Sequence, residues 1–295
     1  TLSLTQANSY TGGTAIKAGE VVLGANAAVG TGAATFATDT ELSFSQGLSV
    51  ANAVQVDGKV QVHSGNFDSE LNGVVSGVGS LVKDGTGQLS LTQANTYSGG
   101  TQVDAGTVAV DANTALGLGA ASFAKDTTLS LGIKNGVSVA NAIKMEGVIT
   151  QSNNFDSSLT GVISGTGSLV KEGTGLLSLT GANSYSGGTQ VAAGKVALDA
   201  NTALGAGSAT FATDTELSLG VTKGLSVANA IEVDGEVDVH SGKFDSSLTG
   251  VISGAGSLVK DGTGQLSLTQ DNTYSGGTQI AAGKVALDAN AALGT

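Results

Sequence analysis

The tetrapeptide Leu2-Ser3-Leu4-Thr5 returns at Leu89, Leu177 and Leu266, in steps of 87, 88 and 89. Each copy runs on into Asn-Ser/Thr-Tyr-Thr/Ser-Gly-Gly-Thr, which places Tyr10, Tyr97, Tyr185 and Tyr274 at matching positions. Phe36, Phe123 and Phe211 form a second matching set, and Phe67, Phe155 and Phe244 a third; Phe44 alone of the aromatics falls outside them. Segments this alike must fold alike, so the chain has to be an array of one structural unit. The interval from Leu89 to Phe123 recurs unchanged from Leu2 to Phe36 and from Leu177 to Phe211. That from Phe67 to Leu89 recurs from Phe155 to Leu177 and from Phe244 to Leu266. All length variation lies between the two Phe sets, where Phe36 to Phe67, Phe123 to Phe155 and Phe211 to Phe244 lengthen by one position at each copy. There Ser45-Gln46 replaces the longer Gly132-Ile133-Lys134-Asn135, and one residue is missing after Gly147. Indels beside glycines mark surface turns, and constant intervals mark packed structure.

A finer period lies inside the large one. Short apolar–polar alternations begin at Leu89, Val108, Leu129 and Val148, and again at Leu177. These steps of ~19–29 residues have the size of solenoid coils, the longest being the last. Alternation puts Leu89 and Leu91 on one face of a strand and Ser90 on the other. No stretch holds a 3.6-residue period. The reading is all-β: a right-handed parallel β-helix (solenoid) built from ~88-residue repeats of about four coils each. The right hand follows from the usual crossover rule. Residues 1–295 are expected to form one continuous β-helix segment, with a partial repeat at 1–78, repeats at 79–166 and 167–255, and a partial repeat at 256–295. A string of immunoglobulin-like sandwiches, one per long repeat, has the right length too. It fits the nested spacing less well, and it favours Trp and Pro.

Both are missing. The 295 residues include 46 Gly but no Pro, Cys or Trp, and all 12 basic residues are lysines. The formal net charge is −12, with scattered acids. Such a chain repels a phosphate backbone and lacks the arginine fork that reads phosphate and guanine, which argues against a nucleic-acid partner. No apolar run approaches the ~20 residues of a membrane span, so no membrane insertion of this segment is expected. The absence of Cys removes disulfides and thiolate chemistry and suits a chain that crosses a narrow pore unfolded.

The stretch Gly79-Ser80-Leu81-Val82-Lys83-Asp84-Gly85-Thr86-Gly87-Gln88-Leu89-Ser90-Leu91 continues through Ala94-Asn95-Thr96-Tyr97-Ser98-Gly99-Gly100-Thr101 to Ala105-Gly106-Thr107-Val108. It resembles the passenger-associated strand repeat of Gram-negative autotransporters, recurs from Gly167 and Gly256, and opens the chain in truncated form at Thr1. The resemblance implies a β-helical passenger displayed outside the bacterial cell, and many relatives of this kind are adhesins or mediate cell–cell aggregation. It also implies a C-terminal outer-membrane barrel, which is not in this sequence, and hence a segment of a longer protein.

No catalytic, cofactor-binding or metal site is expected. His63, Ser64 and Asp68 cluster, as do His240, Ser241 and Asp245, but Gln151 stands in the His position of the middle copy. Neighbours along one strand also face opposite ways, whereas a triad has to converge. Asp84, Glu172 and Asp261 each follow a lysine and precede a glycine, as turn residues do. Gly165-Thr166-Gly167-Ser168 has no phosphate-loop lysine, and the calcium nonapeptide is absent. Pectin-cleaving β-helices need a carboxylate cluster with a basic group, which these sparse acids do not offer. Ice binding needs Thr-x-Thr on every coil, and Thr38-Asp39-Thr40 returns only at Thr213. Three readings remain: an adhesive surface segment, whose polar flank binds an identical flank or a ligand on a host or bacterial surface; a passive stalk holding a separate tip; and, remotely, a surface carbohydrate-active enzyme.

Overall fold

The computed structural model describes residues 1–220 and 222–295. Among the described residues every regular element is a strand, 2–5 residues long, and the strands pair in parallel. The chain is a parallel β-solenoid that divides into two compact units, Thr1–Val148 and Ile149–Thr295. Period-two alternation explains the strands. In Gln88–Leu91 the leucines are buried and Gln88 and Ser90 are half-buried. Stacking then turns one alternation into ladders. Leu71, Leu91, Val110 and Leu131 sit in register on successive coils of the first unit, all buried. Leu159, Leu179, Leu198 and Leu219 do the same in the second. Each fully buried aliphatic side chain contributes roughly 1.5–3 kcal/mol.

Three sheets make the walls of each unit. In the first, one sheet runs from Leu2–Leu4 through Gly19–Leu23, Thr40–Phe44, Lys59–His63, Ser80–Asp84, Thr101–Val103 and Ala121–Phe123 to Ile143–Met145. A second takes Thr14–Ile16, Ala34–Phe36, Val54–Val56 and Val75–Ser76, and a third Ser49–Val50, Ser69–Leu71, Gln88–Leu91, Thr107–Val110 and Thr128–Leu131. The tightest coil takes Leu2 to Val21 and the widest Ala209 to Ile231, so all of them lie close to the lower end of the solenoid range. The long last step expected of each repeat is therefore not a single coil. The strand corresponding to the one at Val148, Lys59–His63, pairs with Ser80–Asp84, which sets Val60 beside Leu81. Ser80–Asp84 escaped the alternation search because its second inward residue is a lysine, Lys83, where the pattern wants an aliphatic.

Uniform coils of about 20 residues do not divide the long repeat evenly; one repeat spans about four and a third of them. Equivalent strands consequently move to a different sheet. In the first unit Leu2–Leu4 lies in the first sheet and its equivalent Gln88–Leu91 in the third. In the second unit Leu176–Leu179 lies in the sheet of Gly194–Leu198, and Gln265–Leu268 in that of Ser246–Leu248 and Lys284–Leu287.

Buried side chains also fasten coil to coil. Asn95 accepts the Val75 N–H at its Oδ1 (2.8 Å) and donates Nδ2 to the Ala115 carbonyl (2.7 Å), joining three successive coils. Asn183 and Asn272 repeat this with Ile163 and Ala203, and with Ile252 and Ala292. Tyr97 is fully buried, its hydroxyl 2.6 Å from Thr101 Oγ1, which donates to the Leu116 carbonyl. Its ring lies on Gly117, at φ 75°, where a Cβ would come within 2.6 Å of Cε2.

Candidate functional site

The turn after Ser80–Asp84 brings together most of the residues that sequence reasoning weighed. Lys83 is inward by parity, and only 1% exposed. Its Nζ donates to the carbonyls of Asp84 (2.9 Å) and Gly85 (2.6 Å) in its own turn, and of Ala105 (3.1 Å) in the next coil. Lys260 does the same to Asp261 (2.6 Å), Gly262 (2.8 Å) and Ala282 (3.3 Å), and Lys171 to Gly173 and Ala193. Burial pushes the ammonium groups of Lys83 and Lys171 down to about 8, opposed weakly by Asp84 and Asp156, and lowers that of Lys260. These lysines were missed in the sequence; their signal was recurrence two places after an inward leucine at Leu81, Leu169 and Leu258.

Asp84 sits at the mouth of this turn. Its carboxyl is held below the usual carboxylate range, first by the Gly85 N–H at 2.6 Å and then, against some burial cost, by His63. His63 Nδ1 lies 3.4 Å from Asp84, and His240 Nδ1 3.1 Å from Asp261. The histidines thus face the acid of the next coil. Asp68 and Asp245 go elsewhere, accepting the N–H of Gln88 and Gln265. The hydroxyls of Ser64 and Ser241 are buried and donate to carbonyls, Ser64 to Asp84 and Gly87 and Ser241 to Gly264. Every member of the apparent hydrolase constellation is occupied in joining coils.

Gln151 does not take the His position. It is the buried last residue of Val148–Gln151, at the inward place of Val62 in Lys59–His63. The residue missing from the middle copy shifts the parity. Gln151 Nε2 donates to the Phe155 and Leu176 carbonyls, much as Ser64 serves Gly87 one residue away from the matching place. Thr40, Thr127 and Thr215 are buried and donate to their own turns, so the Thr-x-Thr segment presents no flat outward hydroxyl pair. The aspartates before them, Asp39, Asp126 and Asp214, take φ of 56°, 64° and 57°, which Asp tolerates better than most residues. Among the described residues no cluster of three or more His, Asp or Glu could hold a metal ion. Nor do the described residues include a helix long and apolar enough to cross a membrane. A shallow groove of about 410 Å³ on the first unit is lined by Asn26, Gly47, Leu48, Ser49, Asp68, Ser69, Glu70 and Ser90.

The model of the passenger-associated-transport-repeat family matches residues 1–23, 81–110, 169–198 and 258–287. The chain carries the repeats of an autotransporter passenger. An alignment 132 positions long, taking in 40% of the chain, is 33% identical to the Adhesin BmaC autotransporter of Brucella suis biovar 1 (strain 1330) and covers 4% of that protein. The passenger segment thus spans a small part of its relative's length. No solved structure matches it. Each full match takes in the buried lysine, the asparagine that joins three coils and the tyrosine–threonine pair. The passenger signature is a set of coil-joining residues, and it marks a secreted, surface-exposed chain.

Proposed function

We propose that this passenger segment is a non-enzymatic adhesive stretch, contacting an identical chain or a ligand on a host or bacterial surface by hydrogen bonds. The observation that carries this reading is the division of labour along each strand. Chemistry-bearing residues at the turns are consumed in coil-to-coil bonds, while the outward positions Glu70, Ser90 and Ser130 stay half-exposed on the face away from the core. Individual contacts of this kind add about 0.5–1.5 kcal/mol, and repetition converts them into avidity. The printed description of the relative as an adhesin supports the same reading. Winding of residues 1–295 as one continuous β-helix, and anchoring through an outer-membrane barrel elsewhere in the parent protein, belong to the proposal.

The shift of equivalent strands between sheets favours a second reading, the stalk. Copies of a given outward residue do not share one sheet, so the expected flank of identical patches in register does not form in either unit. The test is to display residues 1–295 on non-aggregating cells and measure settling. Clumping that requires the segment, and that strengthens modestly with salt as the net charge of −12 is screened, supports adhesion between copies. Cells that stay dispersed at every salt concentration, and that bind no host or bacterial surface, leave the stalk.

A further inference from the structure

The buried lysine of the passenger repeat has no carboxylate partner. Its Nζ is met by main-chain carbonyls: Asp84, Gly85 and Ala105 around Lys83, Asp261, Gly262 and Ala282 around Lys260, and Gly173 and Ala193 around Lys171. In each case one coil supplies the turn and the next supplies the last acceptor, 22 residues on. Gly85 and Gly262, both at φ 82°, shape the turns that aim these carbonyls. The glycine of the following coil leaves room for the ammonium: a Cβ at Gly194 would lie 2.8 Å from Lys171 Nζ, and one at Gly283 2.9 Å from Lys260 Nζ. Three carbonyls around one point, as at Lys83 and Lys260, are the donor set of a hard cation, and an ammonium brings three N–H groups to match them. A buried carbonyl left without a donor is strongly disfavoured, so the same turn built without the lysine needs some other cation or donor.

We propose that each of the three full passenger repeats contains a carbonyl cradle for one ammonium-class cation, that the chain fills it with its own lysine, and that this internal cation locks each turn onto the coil that follows. The lysine does for the turn what a bound ion does for a carbonyl-lined loop. The charged groups around it are those at the mouth: Asp84 with His63 at Lys83, Asp156 at Lys171, and Asp261 with His240 at Lys260. They face the turn from outside, and the ammonium meets only main-chain oxygen.

The test uses the full 295-residue chain at pH 7 with two variants, Lys83→Ala, which empties the cradle, and Lys83→Met, which fills its volume without donors. Hydrogen exchange is followed at the turn 84–87 and at 105–107, with the Lys171 and Lys260 turns as internal controls. Exchange at 84–87 and 105–107 is expected to accelerate about tenfold or more in both variants, with the control turns unchanged. In Lys83→Ala it should slow again with ammonium chloride. It should not slow with tetramethylammonium chloride at equal ionic strength, which has the charge but no N–H. Lys83→Met should respond to neither salt. Wild-type exchange in Lys83→Met would make the lysine a packing residue and overturn the proposal, and so would equal rescue of Lys83→Ala by the two salts. If Lys83→Ala does not fold, Lys83→Met decides: fast exchange at the two segments supports the cradle, and wild-type exchange overturns it.

Discussion

Inward and outward positions one residue apart have opposite tolerance. Leu91 is fully buried in its ladder, and Leu91→Asp both opens a cavity and buries an unpaired charge, a loss of at least about 4 kcal/mol. Ser90→Asp faces out beside Glu70 and is expected to cost about 1 kcal/mol or less. Urea unfolding midpoints of the two variants measure the contrast. Acid acts through Asp84 and Asp261, whose carboxyls are held below their ordinary value by the Gly85 and Gly262 N–H groups and by His63 and His240. A carboxyl depressed in the folded state adds stability above its unfolded value and loses it as pH falls through the folded one. Melting followed from pH 5 downward should show Asp84→Asn losing less than wild type below pH 4. The inward leucines were legible because alternation names them. The role of Lys83 was not, since an inward lysine reads as a break in the pattern until the carbonyls that receive it are seen. Gln151 was misplaced for a related reason: one deleted residue reverses parity, and only the burial of its strand shows which face it takes.

At the scale of the strand and its turn, the coil is held by donors and acceptors that reach across its neighbours. Asn95→Ala leaves the Val75 N–H without a partner and the Ala115 carbonyl with only the Tyr97 hydroxyl at 3.4 Å, and is expected to cost about 2–3 kcal/mol. Asn95→Asp, which can still accept but not donate, should fall between Ala and wild type, as thermal melts of the three chains will show. Gly117→Ala forces a Cβ onto the Tyr97 ring at a positive φ and should cost more than about 1 kcal/mol. The tyrosine, threonine and paired glycines were visible as a motif, but not what joins them, because the glycine under Tyr97 lies a full coil later in the chain. The two phenylalanine sets looked equivalent as markers and differ in place: Phe36, Phe123 and Phe211 are core, whereas Phe67 and Phe155 are 37% and 43% exposed on turns. Of the two indel sites, one fell in a turn as its glycine suggested, after Thr40–Phe44 and Thr128–Leu131, whereas the residue missing after Gly147 is lost from the strand Val148–Gln151 itself.

At the scale of the whole chain, two periods are superposed. The long repeat was plain in the sequence, as was the stacking of short parallel strands, but the number of coils per repeat was not. Counting visible alternations gave four, one of them overlong, because the lysine strand was absorbed into a turn. Restoring Ser80–Asp84 gives coils of nearly equal length and the shift of each repeat to a new sheet. That shift matters for function, since it distributes the outward chemistry of the repeat over different walls. Spin labels decide it most directly. Gln61 and Gln102 flank Val82 in register on one sheet, two coils apart, so nitroxides on Gln61→Cys and Gln102→Cys should lie about 10 Å apart and broaden each other's spectrum strongly. If the lysine strand were only part of a long turn, Gln61 would stack on Ser90 instead. An unbroadened Gln61–Gln102 spectrum beside a strongly broadened Gln61–Ser90 spectrum would contradict the account.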